Sequence, residues 1–322
     1  MTDLPVVALP GVEITLYALL AMIGFACFAG IMIFFAPQYH LPRKVSGLYA
    51  LLAAVLGVLL GRVIFCLVRM DTLFYDEMGE PLGIAPFFDP TAGSISVVGI
   101  VLGSVLAALL CHLSTGRSAS AILDHAALPA LLFFAFMRFI EPLSGNGYGI
   151  PMEESIFAFS PFAIINDWGE AMLSVCFIEG MLALLIALFL FFMRSRTKKP
   201  GTLALYAALL FSVSQILPEA FRWDDVLYIF IFARVTHIGL AVTLFTTMLI
   251  SLIRGKKQGL GTGTFCLELL LTLLGVGLCI LAIYALDKIT AWPPAFVYTG
   301  WALVLILLTG LVGRRIHKED LR

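Results

Sequence analysis

VSGLYALLAAVLGVLLGRVIFCLV, residues 45–68, runs for 24 residues with one charged side chain, Arg62. About 20 apolar residues in a helix cross the hydrocarbon core of a bilayer, so this stretch reads as a membrane span. Working outward from it, eight further stretches qualify. The predicted spans are residues 14–35, 45–68, 94–114, 120–142, 173–193, 203–219, 228–253, 264–286 and 296–313. The expected fold is therefore an all-α polytopic membrane protein of about nine transmembrane helices. The composition agrees: 61% of residues are hydrophobic, 13% are charged, and the mean hydropathy is +1.03. A soluble domain carries about 25% charged residues, so this chain could not cover a water-facing surface.

Other classes fall away on charge and cysteine placement. A net charge of -1 with no basic stripe excludes nucleic acid as a partner. The cysteines (Cys27, Cys66, Cys111, Cys176, Cys266, Cys279) lie in apolar runs without CxxC spacing. No disulfide framework, metal site or cofactor is expected from them. The first span has no basic residue before it and no small-residue cleavage pattern after it, so it is expected to be a retained helix. No internal repeat of the kind found in many transporters is visible.

The loops predict the orientation. Alternate loops carry Arg43 and Lys44, then Arg117, then Arg194, Arg196, Lys198 and Lys199, then Arg254, Lys256 and Lys257. The tail adds Arg314, Arg315, Lys318 and Arg322. The intervening loops are acidic, with Asp71, Asp76, Glu77, Glu80 and Asp89 in one and Glu153, Glu154, Asp167 and Glu170 in the next. By the positive-inside rule the N-terminus lies outside and the C-terminus inside. Two outer loops, about residues 69–93 and 143–172, are long. The second, rich in Gly, Pro and aromatics, is expected to include an interfacial segment.

That topology gives each intramembrane charge a depth. Arg62, Arg138, Glu141 and Glu219 come near the outer ends of outward-running spans, with Arg222 at the boundary. Glu179 and Arg234 lie in the outer parts of inward-running spans, and His237 is one turn deeper than Arg234 on the same face. Such charges are costly in lipid and mark functional sites. Snorkelling explains a single arginine near a helix end, but this clustering points to a charged cavity. Arginine suits a lipid phosphate because its fork donates two parallel hydrogen bonds and stays charged when desolvated. The expected ligand is an anionic phospholipid headgroup. Elsewhere, Asp124 and His125 read as interfacial, Glu268 as snorkelled, Asp224 and Asp225 as a solvated turn, and Gly99 to Gly103 as a packing notch.

The order of these features resembles the bacterial prolipoprotein diacylglyceryl transferase family over about residues 12–255. Tyr17 in VEITLYALL, Arg62 in GVLLGRVIF, the glycine-rich GSISVVGIVLG (93–103) and MRFIEPLSGNGYG (137–149) are similar to successive family motifs. Glu179-Gly180 and EAFRWDD (219–225) follow in the same order. Within the fourth motif Arg138, Gly145, Tyr148 and Gly149 fall on matching positions. The departures are definite. Val98 stands at the family's histidine, Ile140-Glu141 at its Gly-Asn, Asn146 at its later glutamate and Gln215 at an arginine. Residues 256–322 form an addition of two helices and a basic tail, so the chain divides into a seven-helix domain, 1–255, and that addition.

The resemblance implies a multi-pass protein of the bacterial plasma membrane. Its implied reaction transfers diacylglyceryl from phosphatidylglycerol to the cysteine thiol of a preprolipoprotein, releasing glycerol phosphate. Arg138 and Arg222 are the implied stabilisers of the leaving phosphate, with Glu141 or His237 as replacement base. Substrate binding is expected of Tyr17, Arg62, Gly99, Gly145, Asn146, Tyr148, Glu179, Glu219 and Arg234. The alternatives are a lipid- or lipoprotein-binding protein of the same fold that has lost the chemistry, and an unrelated carrier.

Overall fold

The computed structural model describes residues 6–9, 12–76, 79–89, 95–152, 155–166, 168–224, 227–230, 233–288 and 293–321. Glu77, Gly93, Ser94, Glu153, Glu154, Asp167, Asp225 and Arg322, all named above, lie outside the described residues. Among the described residues, nine helices are long and apolar enough to cross a membrane. They are α1 (Leu16–Phe35), α2 (Arg43–Val68), α3 (Val97–Thr115), α4 (Ala119–Ile140), α5 (Val175–Met193), α6 (Thr202–Ala220), α7 (Val235–Lys257), α8 (Thr262–Lys288) and α9 (Pro294–Leu321). The protein is a mostly helical, multi-pass membrane protein, as its composition requires.

Two of the predicted spans are corrected. The span read as 228–253 starts at Val235, because residues 228–230 and 233–234 pair as antiparallel strands. Tyr228 and Phe230 look apolar at either period, so hydropathy cannot separate strand from helix there. The last span, read as 296–313, continues to Leu321. Arg315, Glu319 and Asp320 are buried instead of solvated, and Arg315 pairs with Glu268 of α8. Glu268 therefore does not snorkel freely.

Short strands and turns occupy the segments before and between the helices. Strands β1 (Val6–Leu9) and β2 (Val12–Thr15) form a hairpin that leads into α1, whose first turn is capped by Thr15 Oγ1 accepting from Ala18 N at 3.2 Å. Between α4 and α5, where the sequence suggested an interfacial segment, β3 (Tyr148–Pro151), β5 (Ala171–Ser174) and β4 (Ala163–Ile165) make an antiparallel sheet with β5 central. Strands β6 (Tyr228–Phe230) and β7 (Ala233–Arg234) precede α7.

α4 is the hub of the bundle. Ala126 belongs to a core shared by α1 to α3, while Ala127, one residue on, belongs to a second core built from α5 to α9. Consecutive residues on a helix point about 100° apart, so small side chains here let two helix groups approach one axis. The closest packing is between α2 and α3. A Cβ added at Gly99 would collide with the backbone of Gly61, and one at Gly103 with that of Gly57. The packing-notch reading of Gly99 and Gly103 thus holds. Gly99→Leu is expected to lower the unfolding temperature sharply in detergent, since backbone cannot yield as a side chain can. Gly30→Leu, on an exposed face of α1 with nothing within 4 Å, should leave it unchanged. Equal melting temperatures for both variants would contradict the contact.

The loops sort to two ends of the bundle. At one end Asp124 accepts from Gly201 N (2.5 Å) and Ala204 N (2.7 Å), and Asp320 accepts from the amides of Lys198 (2.9 Å) and Lys199 (2.9 Å). Asp124 is thus a helix cap for α6. His125, also read as interfacial, is buried with Nε2 2.7 Å from Met32 O. The acidic loops and the arginine-bearing helix ends occupy the other end.

Candidate functional site

The chain leaves α4 through Arg138 and then turns within a single 3-10 turn, Glu141–Ser144. Gly145 closes that turn at φ 75°, and Gly147 follows at φ 93°, conformations that a side chain disfavours. Gly147 also has no room for one, because an added Cβ would lie 2.9 Å from Cys176 Sγ. Its amide donates to Asp224 Oδ2 at 2.7 Å, and Trp223 N donates to Tyr148 O at 3.1 Å. The loop after α4 is thereby stitched to the turn after α6.

Two arginines meet at that seam. Arg138 Nη1 donates to Glu141 Oε2 at 2.7 Å, and Arg138 Nε lies 2.9 Å from Glu179 Oε2. Arg222 Nη2 donates to the other Glu141 oxygen at 2.6 Å, and Nη1 to Glu179 Oε2 at 3.2 Å. Asp224 completes the set, accepting from Arg222 Nε at 3.0 Å and pairing with Nη2. Burial opposes the charge on Arg222, but Glu141, Glu179 and Asp224 outweigh it and hold the guanidinium well above its usual range. Arg234 closes the far side by donating to Glu219 O and, at 3.0 Å, to Arg222 O. Glu219 is 2% exposed and lies in the field of Arg222, Arg138 and Arg234. Tyr17, in the first turn of α1, feels the charges of Glu141, Arg138 and Arg222.

A family model for prolipoprotein diacylglyceryl transferase matches residues 5–254. The chain belongs to that family. A search of curated proteins finds no match. The family match runs from before α1 to the last turn of α7, and α8 and α9 lie beyond it. It makes this protein a multi-pass, diacylglyceryl-transferase-like member of lipoprotein biogenesis.

Within this family member, the residues singled out from sequence divide by position. Tyr17, Arg138, Glu141, Glu179, Glu219, Arg222 and Arg234 come together as described. Asn146 braces the signature loop, with Nδ2 3.3 Å from Ser144 O, while Gly145 shapes the turn and Tyr148 contributes its carbonyl. Arg62 spends donors on the carbonyls of Phe87 (3.0 Å), Pro86 (2.5 Å) and Asp89 (2.8 Å), closing the one-turn helix Ala85–Phe88 between α2 and α3. Gly99 packs on Gly61. His237 places Nε2 3.1 Å from Ile216 O, and a carbonyl only accepts, so the proton sits on Nε2. Its ring lies 5.9 Å from that of Trp301 and lines an apolar cavity of about 60 Å³ among α6 to α9.

Asp224 was missed. The sequence reading made it part of a solvated turn, yet it is 6% exposed and holds both Arg222 and the signature loop. An acid two residues from an arginine was the available signal. Its second partner, Gly147, is 77 residues away.

Proposed function

We propose that this family member is a divergent phosphatidylglycerol:prolipoprotein diacylglyceryl transferase acting at the outer leaflet of a bacterial plasma membrane. The observation that carries this reading is the Arg138–Arg222 pair, held from two different elements on shared carboxylates. Preset guanidiniums stabilise charge that develops on a leaving phosphate without reorganising. In the reaction a C–S bond forms at the glyceryl carbon, its C–O bond to phosphate breaks, and glycerol phosphate departs. The thiol proton must go to a base or be lost in a cationic field that lowers the thiol pKa. Glu141 lies inside the cluster and is the better candidate; His237 is turned towards Ile216 and Trp301. The seven helices of residues 1–255 carry this site, and 256–322 buttress it.

One observation favours a second reading, a lipid-binding protein of the same fold without transfer. Val98 fills the histidine position of the family motif, and it packs against Gly239 of α7, where an added Cβ would strike its side chain. Incubating purified protein with phosphatidylglycerol and a lipobox peptide separates the two. A diacylglyceryl thioether in the mass spectrum supports the transferase. Bound phosphatidylglycerol without thioether supports the second reading. If neither product nor bound lipid is found, the lipid-phosphate assignment itself falls.

Orientation has its own test. Reporters fused near residues 80 and 160 should read outside, and those near 198 and 257 inside. A cytoplasmic signal at 160 would move the arginine cluster to the opposite leaflet.

A further inference from the structure

Glu141 sits between the two guanidiniums in an unusual way. One carboxylate oxygen receives Arg138 at 2.7 Å and the other receives Arg222 at 2.6 Å. Two oxygens on one central atom, each facing a different arginine, is also how a phosphodiester would present its two non-bridging oxygens to the same pair. The seat that phosphate needs is therefore filled by the protein's own anion.

Charge counting sharpens this. Arg138, Arg222 and Arg234 face Glu141, Glu179, Glu219 and Asp224, so with every group ionised the described cluster already carries one negative charge in excess. Adding a phosphodiester anion would make the excess two, in a buried place where unscreened like charges are costly. Replacing one carboxylate by the phosphodiester leaves the balance unchanged.

The three carboxylates that touch the pair are not equally held. Asp224 accepts from the Gly147 amide as well as from Arg222. Glu179 projects from within α5 and is 1% exposed. Glu141 lies where α4 gives way to the 3-10 turn, and the hydrogen bonds of its carboxylate among the described residues go to the two arginines alone. Unlike Asp224 it can leave without breaking a main-chain contact, and unlike Glu179 it stands at a helix end rather than within a packed helix.

We propose that Glu141 is a built-in occupant of the phosphate seat, and that an anionic phospholipid binds by exchanging its phosphodiester for the Glu141 carboxylate. The proposal rests on the reading above that Arg138 and Arg222 receive lipid phosphate. It makes Glu141 a determinant of affinity whose removal strengthens binding, the reverse of what removing a binding residue does.

The test measures binding of phosphatidylglycerol to the full-length protein, by titrating vesicles of that lipid in phosphatidylcholine and by counting lipid retained after purification. Glu141→Gln keeps size and hydrogen bonding but removes the charge. It should bind phosphatidylglycerol about tenfold more tightly or better, with phosphatidylcholine unchanged. Glu141→Asp keeps the charge but is one methylene short of spanning both arginines. It should shift in the same direction by less, which covers the case in which the glutamine variant fails to fold. Adding Arg222→Gln to Glu141→Gln should cancel the gain.

Unchanged or weaker binding in both Glu141 variants, while Arg138→Gln and Arg222→Gln still lose lipid, overturns the exchange and leaves the phosphate reading standing. Wild-type-like binding in both arginine variants overturns the phosphate reading as well. A gain for inorganic phosphate but not for phosphatidylglycerol vesicles would assign the seat to a soluble anion and overturn the lipid form of the proposal.

Discussion

Arg222→Gln should abolish stabilisation by phosphatidylglycerol and, with it, any transfer to a lipobox cysteine. The single side chain reaches Glu141, Glu179 and Asp224, which come from three separate elements. Removing it leaves their charges buried and facing each other. Taking one partner from a buried ion pair costs about 3–5 kcal/mol, so a fall in melting temperature accompanies the functional loss. Arg222→Lys separates the two effects. An ammonium restores the charge but not the planar fork, and one point charge cannot serve three carboxylates at these distances. The lysine variant should recover part of the melting temperature while binding phosphatidylglycerol no better than the glutamine variant. Wild-type lipid stabilisation in the lysine variant would show that charge alone is needed and that the fork geometry is irrelevant.

A comparable loss is expected from truncation after Lys257. The family match ends at 254, so a seven-helix protein looks like a natural unit. The packing says otherwise. Trp301, Leu305 and Ile316 of α9 are buried in the same core as Leu209 of α6 and Leu244 of α7. The acidic end of α9 also satisfies main-chain donors of the turn before α6, through Asp320 on Lys198 N, Lys199 N and the Thr202 hydroxyl (3.2 Å). Without α9 those donors lose a charged acceptor, and a hydrogen bond to a charged group contributes about 1.5–3 kcal/mol. The truncated protein should yield little folded material after detergent extraction, and Asp320→Ala in the full chain should reproduce part of the instability. A monodisperse truncated protein that melts at the wild-type temperature would show that lipid substitutes for α8 and α9.

Much of this was legible in the residues, and what was not has identifiable causes. Long apolar runs determine helix number because a bilayer sets their length, and the alternation of basic and acidic loops sorts helix ends into two groups. Depth along the membrane normal follows from that. Rotation about each helix axis does not. Depth alone therefore groups Arg62 and Arg138 with His237 a turn deeper, yet Arg62 turns to the Phe87 carbonyl and His237 to that of Ile216, while Arg138 meets Glu141 and Glu179. The sheet β3-β5-β4 escaped reading for a different reason. Its strands are three or four residues long, too short for alternation to register, and are separated by residues that read as turns. Asp224 escaped because its role depends on an amide far along the chain.

The clasp between Asp320 and the turn at Lys198 has a consequence for how the protein is made. A ribosome delivers residue 320 some 122 residues after Lys198. At a synthesis rate of about 5–20 residues per second, that is a wait of roughly 6–24 seconds. Throughout it the amides of Lys198 and Lys199 stand without their eventual acceptor while the helices carrying the arginine cluster are already emerging. Helix α9, made long after α6, is thus the one that finishes the start of α6, whose far end leads to Glu219 and Arg222. Maturation of the site is tied to synthesis of α9, and a chain released before it would reach the membrane with its charged centre unsupported.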